Sequence, residues 1–457
     1  MGSYSTLYVD GKELCSRKHD LDQMIMTLFQ SSERSIRRGK VKDIAPNLLE
    51  KDNENANEET EVLHYCTTVS VMKDRLELMG FSLNFVRKEF DAAIKEQYDQ
   101  YGEAEGKFGD SYPQASLEYK AKQRAVHQLS FDQYLTIFER LWRDKEELCK
   151  EGWRSIPQAD CSPDELLMWY VRTESFDTPY AFPSYDPRLF LRTVCEVLAS
   201  DIPIVYDLSD LIDDFGDAEG LANYSEENLD GGYATTRKII VLTEGGTDQR
   251  AIKGTLSLLR PGLMDYFSFL DFDTMAVPGG VGNVVNTFKA LVSVGITNRV
   301  VALLDNDTAA HSAVQSAITS SLPSNARIIF LPRLVLAENY PTLGPSTGTT
   351  TVLMDINGFA CSLELFFGED ILRRSSGDLV PIQWKGYDAK LKQYQGEITQ
   401  KGELQSLFLK KLEQAREDQN LLDSQDWAPM KMVIQSLITA FHDSPPIDYG
   451  LETIESE

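Results

Sequence analysis

Two short apolar runs without polar alternation stand near the middle of the chain, Ile239-Ile240-Val241-Leu242 and Val300-Val301-Ala302-Leu303-Leu304. Uninterrupted β-branched and aliphatic residues predict strands buried on both faces, as in a parallel sheet. Asp273-Thr274-Met275-Ala276-Val277-Pro278 and Arg327-Ile328-Ile329-Phe330-Leu331-Pro332 predict two further strands. Between them the spacing turns helical. Ile252, Leu256 and Leu259 recur on one face before Pro261-Gly262, and Val285, Phe288 and Leu291 follow the glycine-rich stretch Gly279-Gly280-Val281-Gly282. This alternation predicts an α/β, Rossmann-like domain with a mainly parallel sheet over about residues 231–370.

The pattern differs on either side. Residues 1–230 open with Ser5-Thr6-Leu7-Tyr8-Val9-Asp10-Gly11-Lys12, a strand and tight turn, pass a polar stretch from Lys51 to Glu61 that predicts a solvated loop, and then become helical. Helix starts are marked by Ser82, by Ser130 with Gln133, by Ser162-Pro163 and by Asp186-Pro187. The aromatic faces that follow, such as Phe131, Tyr134, Phe138 and Trp142, predict packing surfaces in a mostly helical α+β domain. Residues 371–457 predict a helical C-terminal segment through Leu404, Leu407, Phe408 and Leu412, then an acidic tail from Asp443.

At 457 residues the chain holds about two to four domains. Its formal net charge of -26 opposes a broad basic surface for passive binding of polyanions but is compatible with a metal-centred site. Cys15, Cys66, Cys149, Cys161, Cys195 and Cys361 are scattered without CxxC pairs, as for reduced, mostly buried thiols of a cytoplasmic protein. No apolar run reaches membrane length, so no membrane partner is expected.

The chemistry concentrates where the central strands end. The first leads into Glu244-Gly245-Gly246-Thr247-Asp248, the second into Asp305-Asn306-Asp307. Ligands of parallel sheets gather at the carboxyl ends of the strands. One Glu and several Asp suit a hard divalent cation such as Mg²⁺ or Mn²⁺. The plain structural reading is that the aspartates cap the next helix. No Gly-Lys-Ser/Thr follows the glycine stretch, which excludes a P-loop.

A strand ending in Glu-Gly, followed by a strand ending in Asp-x-Asp, resembles the Toprim domain of topoisomerases, primases and nucleases. The resemblance implies Glu244, Asp248, Asp305 and Asp307 as metal ligands and phosphodiester hydrolysis as the activity. Toprim nucleases of the overcoming-lysogenization-defect type add a late acidic residue and a late lysine. By order in the chain these are Glu364, inside an apolar run, and Lys401, with Lys385 as second choice. Arg373, Arg374 and Lys385 belong to a late cluster of positive charge that could bind substrate phosphates. A solvent-facing Glu364 and solvated surface cations are the alternatives.

The first part also resembles the N-terminal domain of HEPN/Toprim-associated proteins of prokaryotic conflict systems, through its opening strand and Gly turn, Leu78-Met79-Gly80-Phe81-Ser82-Leu83, Asp186-Pro187-Arg188-Leu189 and Ile204-Val205-Tyr206-Asp207. The Arg-x(4–6)-His pattern of HEPN ribonucleases is absent around His19, His64, His127, His311 and His442. Together the resemblances imply a metal-dependent nuclease of an anti-phage defence system, acting on DNA or RNA, with a defence-system protein or a second copy as further partners. A non-catalytic nucleotide- or nucleic-acid-sensing regulatory subunit is the alternative.

Overall fold

Asp10 and Gly11 both take left-handed backbone angles, φ 52° and 71°. A two-residue hairpin turn of this kind requires that pair, and the chain reverses there from β1 (Tyr4–Val9) to β2 (Lys12–Lys18). With β3 (Arg34–Lys40), β4 (Glu59–Thr68) and β5 (Pro203–Asp207) they form an antiparallel sheet in the order β2-β1-β5-β4-β3. The computed structural model describes residues 3–40, 43, 59–108, 112–143, 155–157, 160–174, 179–229, 237–270, 279–318, 321–344, 350–418 and 420–442. These belong to two compact units, Met1–Tyr233 with Glu452–Glu457, and Ala234–Leu451.

In the first unit the long insertion between β4 and β5 is helical: α1 (Val69–Met79), α2 (Leu83–Phe108), α3 (Pro113–Gln128), α4 (Phe131–Arg143), α5 (Pro163–Thr173) and α6 (Pro187–Val197). Ser162 and Glu165 close a capping box at the start of α5, and Asp186 caps α6, as their positions predict. The aromatic face of α4 is core: Phe131, Tyr134 and Phe138 are buried, and Phe90 packs 5.3 Å from Phe131 between ring centroids. The loop expected over Lys51–Glu61 is corrected at its end, where Glu59–Glu61 already pair with Arg38–Lys40 in the ladder, while residues 51–58 lie outside the described residues. Ala218–Glu227 forms α7.

The second unit is built on the predicted apolar runs. Strands β6 (Ile239–Leu242), β7 (Phe267–Phe269), β8 (Val300–Leu304) and β10 (Ala326–Phe330) form a sheet of order β10-β8-β6-β7, parallel at each pairing. Every residue of β8 is buried. Leu242, Val300, Ala302 and Leu304 form one core with Val284, Val285 and Phe288 of α9 (Val281–Ser293). Val241, Val301 and Leu303 are buried on the other face. Burial on both faces is what an unalternating apolar strand requires. The expected strand Asp273–Pro278 lies outside the described residues, and the strand described beside β6 is the earlier β7.

The described residues beyond 370, 371–418 and 420–442, lie in this same unit. They are less helical than their sequence predicts, because β14 (Ile382–Asp388) and β15 (Gln393–Ile398) make a hairpin joined to β11 (Tyr340–Leu343) and β12 (Val352–Met354). Buried Ile382 and Trp384 alternate with more exposed neighbours, a period of two. Then come α11 (Lys401–Glu417) and α12 (Ala428–Ile438). The acidic tail lies outside the described residues. Of the five described cysteines only Cys195 and Cys361 are buried and Cys66 is exposed, which corrects the expectation of mostly buried thiols. Among the described residues no helix is long and apolar enough to cross a membrane.

Candidate metal centre

In the second unit β6 has β7 on one side and β8 on the other, so chain connections diverge at the β6/β8 boundary. The crevice beyond such a switch point is where parallel α/β sheets hold ligands. Glu244 leaves β6 there and Asp305 leaves β8 beside it. The backbone N–H of Asp305 donates to Glu244 Oε1 at 3.1 Å. Asp305 Oδ1 in turn accepts from the backbone N–H of Leu363 at 3.0 Å. Among the described residues Glu244 Oε2 and Asp305 Oδ2 have no hydrogen-bond partner. One oxygen of each carboxylate is thus fixed by the backbone and the other is open.

The other two carboxylates sit on helix starts. Asp248 lies in the first turn of α8 (Gly246–Leu259), beside the Gly245 backbone. Asp307 ends the short β9 (Asn306–Asp307) and accepts from Ala310 N at 2.8 Å as N-cap of α10 (Thr308–Ala317). The helix-capping reading therefore holds for Asp307, while Asp305 does not cap.

Electrostatically the four form one cluster. Burial, opposed by the Asp305 hydrogen bond and reinforced by Asp307 and Asp248, pushes Glu244 up to about 7. Burial and Glu364 push Asp248 up to about 6. Asp305 rises well above the carboxylate range through burial, then Glu244, Glu364, Asp248 and Asp307. Asp307 is also raised, by burial. Such mutual opposition to ionisation is relieved by a cation.

Among the described residues, no group of three His, Cys, Asp or Glu side chains is already arranged to hold a metal ion. The donor set nonetheless fits one chemically, being all oxygen, partly desolvated and carrying open lone pairs on Glu244 and Asp305.

Glu364 is fully buried on the short 3₁₀ turn Leu363–Phe366, which removes the solvent-facing alternative. Its oxygens are occupied: Oε2 by the Ser362 hydroxyl at 2.7 Å, Oε1 by Gln405 Nε2 at 2.7 Å and Lys401 Nζ at 3.3 Å. Lys401 is the first residue of α11. Burial alone would lower its pKa, but Glu364, Asp305 and Asp248 carry it above the ordinary lysine value. The late acid and late lysine are thus neighbours, beside the carboxylates.

The remaining predicted residues are placed otherwise. Arg373 is exposed and bonded to Glu369 and to the Gly377 carbonyl. Arg374 donates to Gln400 Oε1 at 3.0 Å, next to Lys401. Lys385 pairs with Glu397 across the β14–β15 hairpin and makes no contact with the carboxylates.

Three features had no sequence signal strong enough to assign them. Gln405 and Ser362 hold Glu364. Gln400, φ 59°, takes a left-handed backbone that non-glycine residues rarely adopt, and so turns the chain from β15 into Lys401. The glycine stretch is placed against the site: Gly280 N donates to the Glu244 carbonyl at 2.7 Å, and a Cβ at Gly279 would lie 2.9 Å from that oxygen. Its composition reads as a turn, and only the partner across the sheet gives it a role.

No curated protein and no solved structure matches this chain. Residues 1–226 match the family model described as HEPN/Toprim N-terminal domain 1, which supports a HEPN/Toprim-associated N-terminal domain over that stretch.

Proposed function

We propose that the second unit is a Toprim-type nuclease that hydrolyses phosphodiester bonds of DNA or RNA with Mg²⁺ or Mn²⁺, as an effector of prokaryotic anti-phage defence. The observation that carries this reading is the meeting of Glu244, Asp248, Asp305 and Asp307 beyond the ends of the two central parallel strands, each raised in pKa, with Lys401 beside them. A HEPN/Toprim-associated first unit agrees with it.

Glu244, Asp248, Asp305 and Asp307 would hold the metal. Bound there, the ion would supply Lewis acidity and a water of lowered pKa. Glu244, with one oxygen held by the Asp305 N–H and the other open, could serve as ligand or proton acceptor. The Lys401 ammonium is suited to stabilise charge developing on a phosphate. Glu364, with both oxygens engaged, positions that lysine and is better suited to this than to ligation.

Purified full-length chain incubated with single- and double-stranded DNA and RNA, with Mg²⁺, Mn²⁺ or EDTA, tests the reading. Metal-dependent cleavage lost in Asp305→Ala, Asp307→Ala supports it. Metal-dependent binding without cleavage of any of the four would favour the regulatory subunit instead.

A further inference from the structure

Beside the carboxylates, the second unit carries a groove that the hydrolytic chemistry does not use. It encloses about 520 Å³ and is lined by Met354, Phe359, Trp384, Tyr387, Tyr394 and Lys392 among others. Tyr387 and Tyr394 are register partners across the β14–β15 hairpin, 5.1 Å apart between centroids. They remain 56% and 50% exposed, unlike the aromatic core of the molecule. Aromatic rings this open leave faces free for stacking.

The groove is joined to the candidate centre through one residue. Thr308 follows Asp307 directly. Its hydroxyl donates to the Tyr394 carbonyl at 2.9 Å and its N–H to the Phe359 carbonyl at 3.3 Å. Ala360, next to Phe359, opens β13 (Ala360–Cys361) and is the ladder partner of Asp307 itself. These bonds tie the wall of the groove to the turn that carries Asp307.

Charge agrees. Lys392, in the hairpin turn, has no ion pair among the described residues, and Lys390 beside it is also exposed. Asp355, an acid of the lining, pairs at 2.7 Å with Arg333, which it shares with Glu338.

We propose that this groove receives unpaired bases of the nucleic-acid strand being cut, stacked on Tyr387 and Tyr394, with the backbone held near Lys392. The assignment rests on the nuclease reading above and narrows its substrate class to single-stranded or locally unpaired nucleic acid, since a closed duplex cannot offer its base faces. Stacking platforms of this kind tolerate any sequence.

Binding is measured by fluorescence anisotropy on the full chain in Ca²⁺, with a labelled single strand of about twelve nucleotides, the same strand with abasic sites, and the blunt duplex. The expected result is about ten-fold weaker binding of the abasic strand and of the duplex by the parent protein. In Tyr387→Ala, Tyr394→Ala the intact and abasic strands should bind alike, and Tyr387→Trp, Tyr394→Trp should restore the difference.

Equal affinity of the parent protein for intact and abasic strands overturns the proposal whether or not the variants fold. So does a double alanine variant that binds strands normally but loses self-association in light scattering, which would assign the groove to a second copy pairing along the exposed edge β12. A strand that stacks but is never cut with any divalent ion would sink the nuclease reading and leave the groove standing. Cleavage with no contribution from the bases would do the reverse.

Discussion

The backbone N–H of Asp305 donates to Glu244 Oε1 at 3.1 Å, so the two acidic turns are tied across the sheet by a hydrogen bond rather than by proximity alone. Glu244→Ala therefore leaves the Asp305 N–H without its acceptor, whereas Asp305→Ala keeps the donor that holds Glu244. Glu244→Ala is expected to lower cleavage about 100-fold or more, and Asp305→Ala with Asp307→Ala to abolish it, while circular dichroism stays that of the parent. Full activity in the folded double variant would remove these aspartates from the mechanism.

Metal dependence follows from the donor set. Oxygen-only ligation favours Mg²⁺ and Mn²⁺ for turnover, with the larger Ca²⁺ bound but poorly productive. All three should raise the melting temperature of the parent protein, and none that of Asp305→Asn, Asp307→Asn. Activity that survives EDTA, or that only Zn²⁺ supports, would contradict the assignment.

The raised carboxyl groups set the sign of the pH response without metal. Glu244 and Asp248, at about 7 and about 6, keep protons in the folded state that the unfolded chain gives up at about 4. The unfolded state ionises first as pH rises, so the metal-free protein loses stability from about pH 4 to 7 and does not recover it above. Denaturant melts at pH 5 and pH 8 should show this fall, and Asp305→Asn should reduce it. A metal-free protein more stable at pH 8 than at pH 5 would mean that the cluster is not strained by its own charge.

Lys401 and the arginines should separate kinetically. Lys401→Met is expected to lower the single-turnover rate about 100-fold with little change in apparent affinity. It should also cost about 1–3 kcal/mol of stability, because Glu364 stays buried. Glu364→Gln in the same chain should return part of that stability but none of the rate. Arg373→Ala should change only affinity and its salt dependence. An unchanged rate for Lys401→Met would take the lysine out of the chemistry.

Gly279→Ala is a test of positioning. Its Cβ would meet the Glu244 carbonyl at 2.9 Å, where only backbone can move. The rate should fall more than the melting temperature does, and an equal fall in folded protein content would reduce the loop to a structural turn.

What could be read in advance was what a strand end announces locally. The runs at Ile239 and Val300 read as buried strands whose terminal acids follow, while the run at Arg327 forms a half-buried strand with no acid at its end. Strand β7 could not be read, since Phe267-Ser268-Phe269 is too short to show a period. The hairpin that carries Tyr387 and Tyr394 was obscured by its charged turn. Glu364 was conspicuous, but its partners Ser362, Gln405 and Lys401 are supplied by the fold, and a one-dimensional pattern contains no such information. Lys385 pairs with Glu397 across the hairpin, a partner that its place in the sequence does not announce.

The left-handed Gln400 has a consequence for anyone who engineers this protein. Glycine would take φ 59° without steric cost, and Gln400→Gly would on that ground stabilise the backbone by about 1 kcal/mol. It would also delete the acceptor of Arg374 and loosen the hinge from which Lys401 projects. Heat tolerance and turnover are therefore opposed at this one position. A screen for thermal survival alone would select the substitution that melts higher in a temperature scan and turns over more slowly.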